Sequence, residues 1–184
     1  MSTPTTPKIM LIRHAEKPAD PPPPHGVTPD GEHDPESLTV AGWQRAGALA
    51  PFFAPAVGAT QSPEIVTPKY LVASGSKSER PEQTITPLAA RLGVSVDISL
   101  KKGALQDLVD QVTALDGPAL VAWQHQDIPA IANLILGNDT TAPQTWPGDR
   151  FDVVWVFDLD ASTVTYAFTQ VPQQLLAGDS DSVI

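Results

Sequence analysis

An α/β domain with a mainly parallel sheet covered by helices on both faces is the architecture this sequence predicts. Three observations predict it. Short apolar runs of strand length alternate with longer stretches of helical period. Two of the apolar runs stop at a cluster of polar residues, as at Ile12-Arg13-His14 and Trp123-Gln124-His125. No internal repeat and no sharp change of composition divides the chain. Its 184 residues and 41% hydrophobic content suffice for one core, so a single domain over 1–184 is expected, with its core at 8–171.

The first strand is "TPKIMLIRH", built on Ile9-Met10-Leu11-Ile12. "ADPPPPHGVTPDGEHDPES", Ala19 to Ser37, is a proline-rich loop, because successive prolines lack ladder donors and cannot join a helix. A loop this long inside a compact domain is usually functional, and it is expected to cover the site. "SLTVAGWQRAGALAPFF" follows as a helix, capped by Ser37 or Thr39, with Trp43, Ala46, Leu49 and Phe53 on one stripe and Pro51 near its end. "YLVAS" is the second strand. "SERPEQTITPLAARLG" is a helix with Pro81 in its first turn, Gly93 as its stop and Pro87 predicting a bend.

"VSVDIS" is a short third strand. "ALQDLVDQVTAL" is amphipathic, with Leu105, Leu108, Val109, Val112 and Leu115 on one face. "PALVAWQH" is the fourth strand and "IPAIANLILG" the helix after it. "DVVWVFDL" and "STVTYAFTQV" form a closing pair of strands, joined at Asp158-Leu159-Asp160. Trp123 and Trp155 read as core residues. The polar tail after Val171 is expected to fray.

Composition narrows the function. The formal net charge of −10 argues against nucleic acid or an anionic membrane as partner. The longest apolar runs fall far short of the ~20 residues of a membrane span. There is no cysteine, which excludes disulfides, thiolate metal sites and cysteine nucleophiles and fits a reducing compartment. "MSTPTTPK" lacks a basic segment followed by an apolar stretch, so no signal peptide is expected and a cytoplasmic location is.

Three stretches that each follow a strand carry the chemistry: "LIRHAEK", "SGSKSERPEQT" and "AWQHQD". In a parallel sheet with right-handed crossovers, the carboxyl ends of the strands form one rim, where ligands bind. Arg13, His14, Arg80 and His125 would meet there. Guanidinium forks bind phosphate oxygens in pairs. A neutral imidazole can attack phosphorus and hold the group covalently. The helix opening after His125 would add backbone donors. A small phosphorylated substrate is the expected partner.

With these residues the sequence resembles the histidine phosphatase superfamily, also called phosphoglycerate-mutase-like. Arg13-His14-Ala15 matches the Arg-His-Gly or Arg-His-Ala that follows the family's first strand. Leu38-Thr39-Val40-Ala41-Gly42-Trp43-Gln44-Arg45 resembles its Leu-Thr-x-x-Gly-x-x-Gln helix start, with Gln one place early. Arg80-Pro81-Glu82-Gln83-Thr84 resembles Arg-Ala-x-Gln-Thr with Pro for Ala, and His125 sits where the second histidine ends a late strand. The resemblance covers residues 8 to 137. It implies a three-layer αβα sandwich and phosphomonoester hydrolysis through a phosphohistidine on His14, with Arg13, Arg80 and His125 as the phosphate pocket. It implies no metal and no organic cofactor.

The sequence departs from the family pattern at the proton donor. The mutase branch carries a glutamate after the third strand; here that loop is "SLKKGAL". The acid phosphatase branch has Asp directly after the second histidine; here Gln126 stands there and Asp127 follows. Asp127 and Glu16 are the candidate donors. Asp127 is also placed to cap the next helix, and Glu16 to pair with Lys17. His25 and His33 lie among acids in the proline-rich loop, but their spacing matches no metal motif. A phosphomutase and an inactive phospho-ligand-binding module remain as alternative readings.

Overall fold

The computed structural model describes residues 7–184. Its elements, in chain order, are β1 (Lys8–Arg13), α1 (Val40–Phe53), β2 (Tyr70–Ala73), α2 (Arg80–Leu92), β3 (Val96–Asp97), α3 (Leu105–Thr113), β4 (Ala119–Trp123), α4 (Ile128–Leu136), β5 (Val153–Asp160) and β6 (Thr165–Pro172). They build one six-stranded sheet in the order β3-β2-β4-β1-β5-β6. The first four of these run parallel, while β5 lies antiparallel to β1 and β6 antiparallel to β5.

The two faces of the sheet carry separate cores, as the period-two alternation of a strand requires. Along β1, Ile9 and Leu11 pack with Leu108, Val109 and Val112 of α3 and Ile128 and Ile131 of α4. Met10 and Ile12 point the other way, onto Leu49 and Phe53 of α1 and Ile85 and Leu88 of α2. Each of these fully buried side chains stabilises the sandwich by about 1.5–3 kcal/mol. The three-layer αβα sandwich is thus the one the sequence predicted.

Local chemistry sets the element ends. Thr39, not Ser37, caps α1: its hydroxyl accepts from the Gly42 N–H at 3.1 Å. Ser37 is engaged elsewhere, donating to Asp34 and accepting from Gln83. Gly93 closes α2 at φ 68° and Gly137 closes α4 at φ 70°, in the left-handed region where glycine carries no Cβ penalty. Pro51 and Pro87 both lie inside their helices.

Four expectations change. The predicted first strand opened at Thr6, which lies outside the described residues; the strand observed begins at Lys8. The third strand shrinks to Val96–Asp97 at the sheet edge, because the Asp97 carboxylate accepts from the Ser99 N–H and turns the chain. The β5–β6 junction falls after Asp160 rather than at 158–160: Asp160 pairs with Thr165, and its carboxylate accepts from the backbone and hydroxyl of Ser162 to form the turn. The tail after Val171 is pinned rather than frayed. Asp179 accepts from the buried Arg45 of α1, the Gln173 N–H donates to the Asp152 carbonyl, and Ile184 bonds to Gln170 through both backbone groups.

The register brings the strand exits together. Arg13 stands beside Trp123, and Ala73 beside Ala122. The segments leaving β1, β2 and β4 therefore open at one rim. No helix among the described residues is long and apolar enough to cross a membrane.

Candidate active site

A cleft of about 150 Å³ opens at this rim, and His14, Ser74, Ser76, Ser78, Arg80 and His125 are among its lining residues. His14 leaves β1 with its backbone fixed, its N–H donating to the Trp123 carbonyl at 2.9 Å. The next N–H, of Ala15, donates to the Thr84 hydroxyl at 2.8 Å, and that hydroxyl donates to the Arg80 carbonyl at 2.7 Å. Two hydrogen bonds thus connect the histidine loop to the first turn of α2.

The His14 ring is buried, and its Nδ1 lies 2.8 Å from the Ala15 carbonyl. A carbonyl only accepts, so Nδ1 carries the hydrogen and Nε2 keeps its lone pair. Burial, reinforced by the neighbouring charges of Arg13 and Arg80, lowers the pKa of His14 from 6.5 to about 3, with the Ala15 hydrogen bond opposing. The ring is neutral at pH 7.

Arg13 is almost wholly enclosed. One terminal nitrogen donates to the Gly148 and Arg150 carbonyls, both at 2.8 Å, and the guanidinium carbon sits 3.7 Å above the centre of the Phe151 ring. Its Nε and its other terminal nitrogen are buried without a partner. Burial lowers its pKa to about 10, which leaves it charged at neutral pH. Arg80 donates one terminal nitrogen to the Pro35 carbonyl at 2.7 Å and keeps a buried, unpartnered Nε. His125 has a buried, unpartnered Nδ1; burial, then the charges of Arg13 and Lys17, lower its pKa to about 4.

The remaining buried side-chain donors without a partner are the Ser78 hydroxyl, which lines the cleft, and the Trp123 indole N–H, whose residue ends β4 beside Arg13. Among the described residues every such donor belongs to the segments around His14. Buried donors are seldom left unpaired, because each costs about 1–3 kcal/mol. Those of Ser78, Arg80 and His125 line the cleft and suit an acceptor-rich anion, whereas Arg13 and Trp123 are not among its lining residues.

The two carboxylates expected to donate a proton do not line the cleft. The Glu16 carboxylate accepts from Arg45 at 2.8 and 2.9 Å, not from Lys17, and turns toward the C-terminal tail. Asp127 makes no side-chain cap on α4; its carboxylate is held by the Gln124 amide, which itself lines the cleft. The capping role of Asp127 yields to that bond, and its charge still acts on His125. Among the described residues no cluster of three metal-ligating side chains occurs, and His25 and His33 stack ring on ring, 4.2 Å between centres.

Sequence reasoning missed Ser78, Gln124, Lys17 and Lys102 in the cleft, and Phe151 under Arg13. The stretch "SGSKSER" could have pointed to Ser78, since three serines in five residues after a strand exceed what a turn requires. Nothing local marks Phe151, which comes from the segment before β5, far along the chain.

No family model matches the chain, and no curated protein matches it in sequence. Solved structures do match its fold. One is the mycobacterial glucosyl-3-phosphoglycerate phosphatase Rv2419c in complexes with VO3, at 12% identity and a TM-score of 0.55, covering 89% of this chain and 96% of that one. Another is a candidate phosphohistidine phosphatase, SixA, from Agrobacterium tumefaciens, at 16% identity and a TM-score of 0.54, with the same coverage of 89% and 96%. A third is a histidine-to-alanine mutant of phosphoserine phosphatase from Entamoeba histolytica in complex with phosphoserine, at 14% identity and a TM-score of 0.54, covering 88% and 94%. At such identities the likeness is one of fold, and it spans nearly the whole chain.

Proposed function

We propose, from the histidine phosphatase fold that this chain has and from the donors gathered around His14, that it hydrolyses small phosphomonoesters through a phosphohistidine. The buried, unpartnered groups of Arg80, His125 and Ser78 that line the cleft with a neutral imidazole, and the charge of Arg13 acting on that imidazole, carry this reading. They match the oxygens of a phosphoryl group, and their fixed geometry lets them act without reorganising during the reaction.

In the first step Nε2 of His14 attacks phosphorus in line, the P–Nε2 bond forms, and the bond to the leaving oxygen breaks. The leaving oxygen keeps the electron pair and takes a proton from solvent water. In the second step water attacks phosphorus, the P–Nε2 bond breaks, and phosphate leaves with His14 neutral again. Arg13 and Arg80 hold oxygens through guanidinium forks. Burial first, and then the cations beside His125, disfavour its protonation in the free cleft, with the Asp127 charge opposing. A phosphate dianion reverses that field, so His125 is favoured as imidazolium in the complex and can donate to the bound group.

No carboxylic acid lines this cleft, so leaving groups that depart without a strong general acid suit it best. The absence of cysteine supports placing the activity in the cytoplasm.

Turnover of nitrophenyl phosphate in the presence of EDTA tests this function. Hydrolysis, with competitive inhibition by vanadate, is expected. Failure to hydrolyse any phosphomonoester, with tight phosphate binding retained, would make the chain a phospho-ligand-binding module instead.

A further inference from the structure

The two edges of the sheet differ. At one edge β3 pairs over Val96–Asp97 only, and the Asp97 carboxylate turns the chain away. Short strands, charged residues and bulges are what keep an edge from pairing with another chain. At the other edge, β6 runs for eight residues, Thr165–Pro172, in unbroken register with β5 and without a bulge. Its sequence, TYAFTQVP, holds no charged residue, although 17% of the chain is charged.

The register fixes which backbone groups face outward. The Gln173 N–H donates to the Asp152 carbonyl at 2.7 Å, one step beyond the Val153–Pro172 pair. Hydrogen-bonded pairs alternate along an antiparallel ladder. Thr165, Ala167, Thr169 and Val171 therefore direct their N–H and C=O groups to β5, while Tyr166, Phe168 and Gln170 direct theirs away from it. Pro172 falls in the outward set, where a missing N–H costs the ladder nothing. Among the described residues no hydrogen bond reaches the outward groups of Tyr166, Phe168 and Gln170. The side chains of Tyr166 and Phe168 pack on the core, and that of Gln170 holds Ile184. Thr165, Ala167 and Thr169 point to the opposite face and are exposed.

This edge is complementary to itself. Set antiparallel against a second copy about a twofold axis at Phe168, Tyr166 meets Gln170 of the second copy and Phe168 meets its own counterpart. Each of these pairs exchanges both N–H···O bonds. A shift of the register in one direction sets Pro172, which has no donor, opposite Tyr166. A shift in the other sets Gln170 opposite Val164, whose N–H is already spent on the Asp160 carbonyl in the turn. On the open face the symmetric register places Ala167 opposite Thr169, two small uncharged side chains that pack across a seam. The nearest acids, Asp158 and Asp160, belong to β5, one strand behind. In a chain of net charge −10, an uncharged edge is where two copies meet with little repulsion.

We infer that β6 is the interface of a homodimer, in which the two strands pair antiparallel about Phe168 and the two six-stranded sheets become one. The partner is a second copy rather than a foreign strand, because every backbone group this edge offers is answered by the same edge and no charged side chain on it selects another sequence. β6 lies two strands from β1, so the cleft at the exits of β1, β2 and β4 stays open. The interface is independent of the chemistry at His14.

Sedimentation velocity of the whole chain across a range of concentrations tests this. The wild type should pass from the mass of one chain to the mass of two. Ala167→Lys and Thr169→Glu each place the same charge twice beside the axis, at exposed positions. Each should weaken dimerisation by about tenfold or more, with circular dichroism unchanged. The double variant Ala167→Lys/Thr169→Glu should regain most of the loss, because this register sets the two opposite charges against each other across the seam. Exchange of the Tyr166, Phe168 and Gln170 amide hydrogens should slow as the dimer forms. A wild type that stays a single chain at every concentration, a dimer indifferent to both single variants, a double variant no tighter than either, or fast exchange of those three amides within the dimer overturns the inference.

Discussion

The Nδ1 of His14 lies 2.8 Å from the carbonyl oxygen of Ala15, the next residue in the chain. This contact fixes the tautomer, so the lone pair of the ring belongs to Nε2. Burial then keeps the ring from taking a second proton, with a pKa of about 3. The geometry leaves Nε2 of His14 free to act as a nucleophile before any ligand arrives.

That burial has a stability cost in acid. A histidine in the unfolded chain titrates near 6.5, while the folded cleft holds His14 at about 3 and His125 at about 4. Between those values the unfolded chain binds more protons than the native one, so stability falls as pH drops below about 6.5. Melting temperature should decline from pH 7 to pH 5. Sulfate, a dianion throughout that range, should raise it more at pH 5 than at pH 7, because a bound anion favours protonated His125. A sulfate effect that is independent of pH in the wild type would contradict the placement of His125 beside the anion.

Arg80 contributes geometry as well as charge. Its guanidinium is anchored on the Pro35 carbonyl and keeps a buried, unpartnered Nε. Arg80→Lys retains the charge and loses the fork, so it should lower kcat/KM by about a hundredfold, close to the effect of Arg80→Ala. Activity near wild type in the lysine variant would reduce Arg80 to a remote electrostatic influence.

Asp127 is bonded to Gln124 and does not line the cleft. Asp127→Asn should therefore slow alkyl phosphates and nitrophenyl phosphate by a similar factor, acting through Gln124. A general acid would show the opposite: a much larger loss on the alkyl esters, which need a proton in the transition state.

The tail beyond β6 should be integral to stability. Arg45, buried in α1, donates to Glu16 and Asp179 and to the Gln173 amide oxygen. Asp179→Ala strands part of that buried charge and should cost roughly 3 kcal/mol in chemical denaturation. A loss below about 1 kcal/mol would mean that the tail is dispensable.

Much of this was legible in the sequence because the strands and helices announce themselves by period. The stripe of α3, the stop at Gly93 and the alternation in β1 each follow from local rules. His14, Arg80 and His125 were legible because each follows a strand and the parallel sheet aligns those exits. What the sequence hid depends on distant segments. Glu16 finds Arg45 rather than its neighbour Lys17, and Asp127 finds Gln124 rather than the end of its own helix. Phe151 reaches Arg13 from the far end of the chain. The tail read as loose because its anchor, Arg45, sits in the middle of a helix whose sequence gives no sign of a partner.

Whether Nε2 of His14 carries the phosphoryl group is tested most directly by acid-free quenching during turnover, followed by mapping of the phosphorylated residue under alkaline conditions. Phosphate is expected on His14 alone, bonded through Nε2, with no such adduct on His14→Ala and with turnover lowered in that variant by roughly a thousandfold or more at unchanged fold. Phosphate on His125 or on Nδ1 of His14, or turnover by His14→Ala close to that of the wild type, would contradict it.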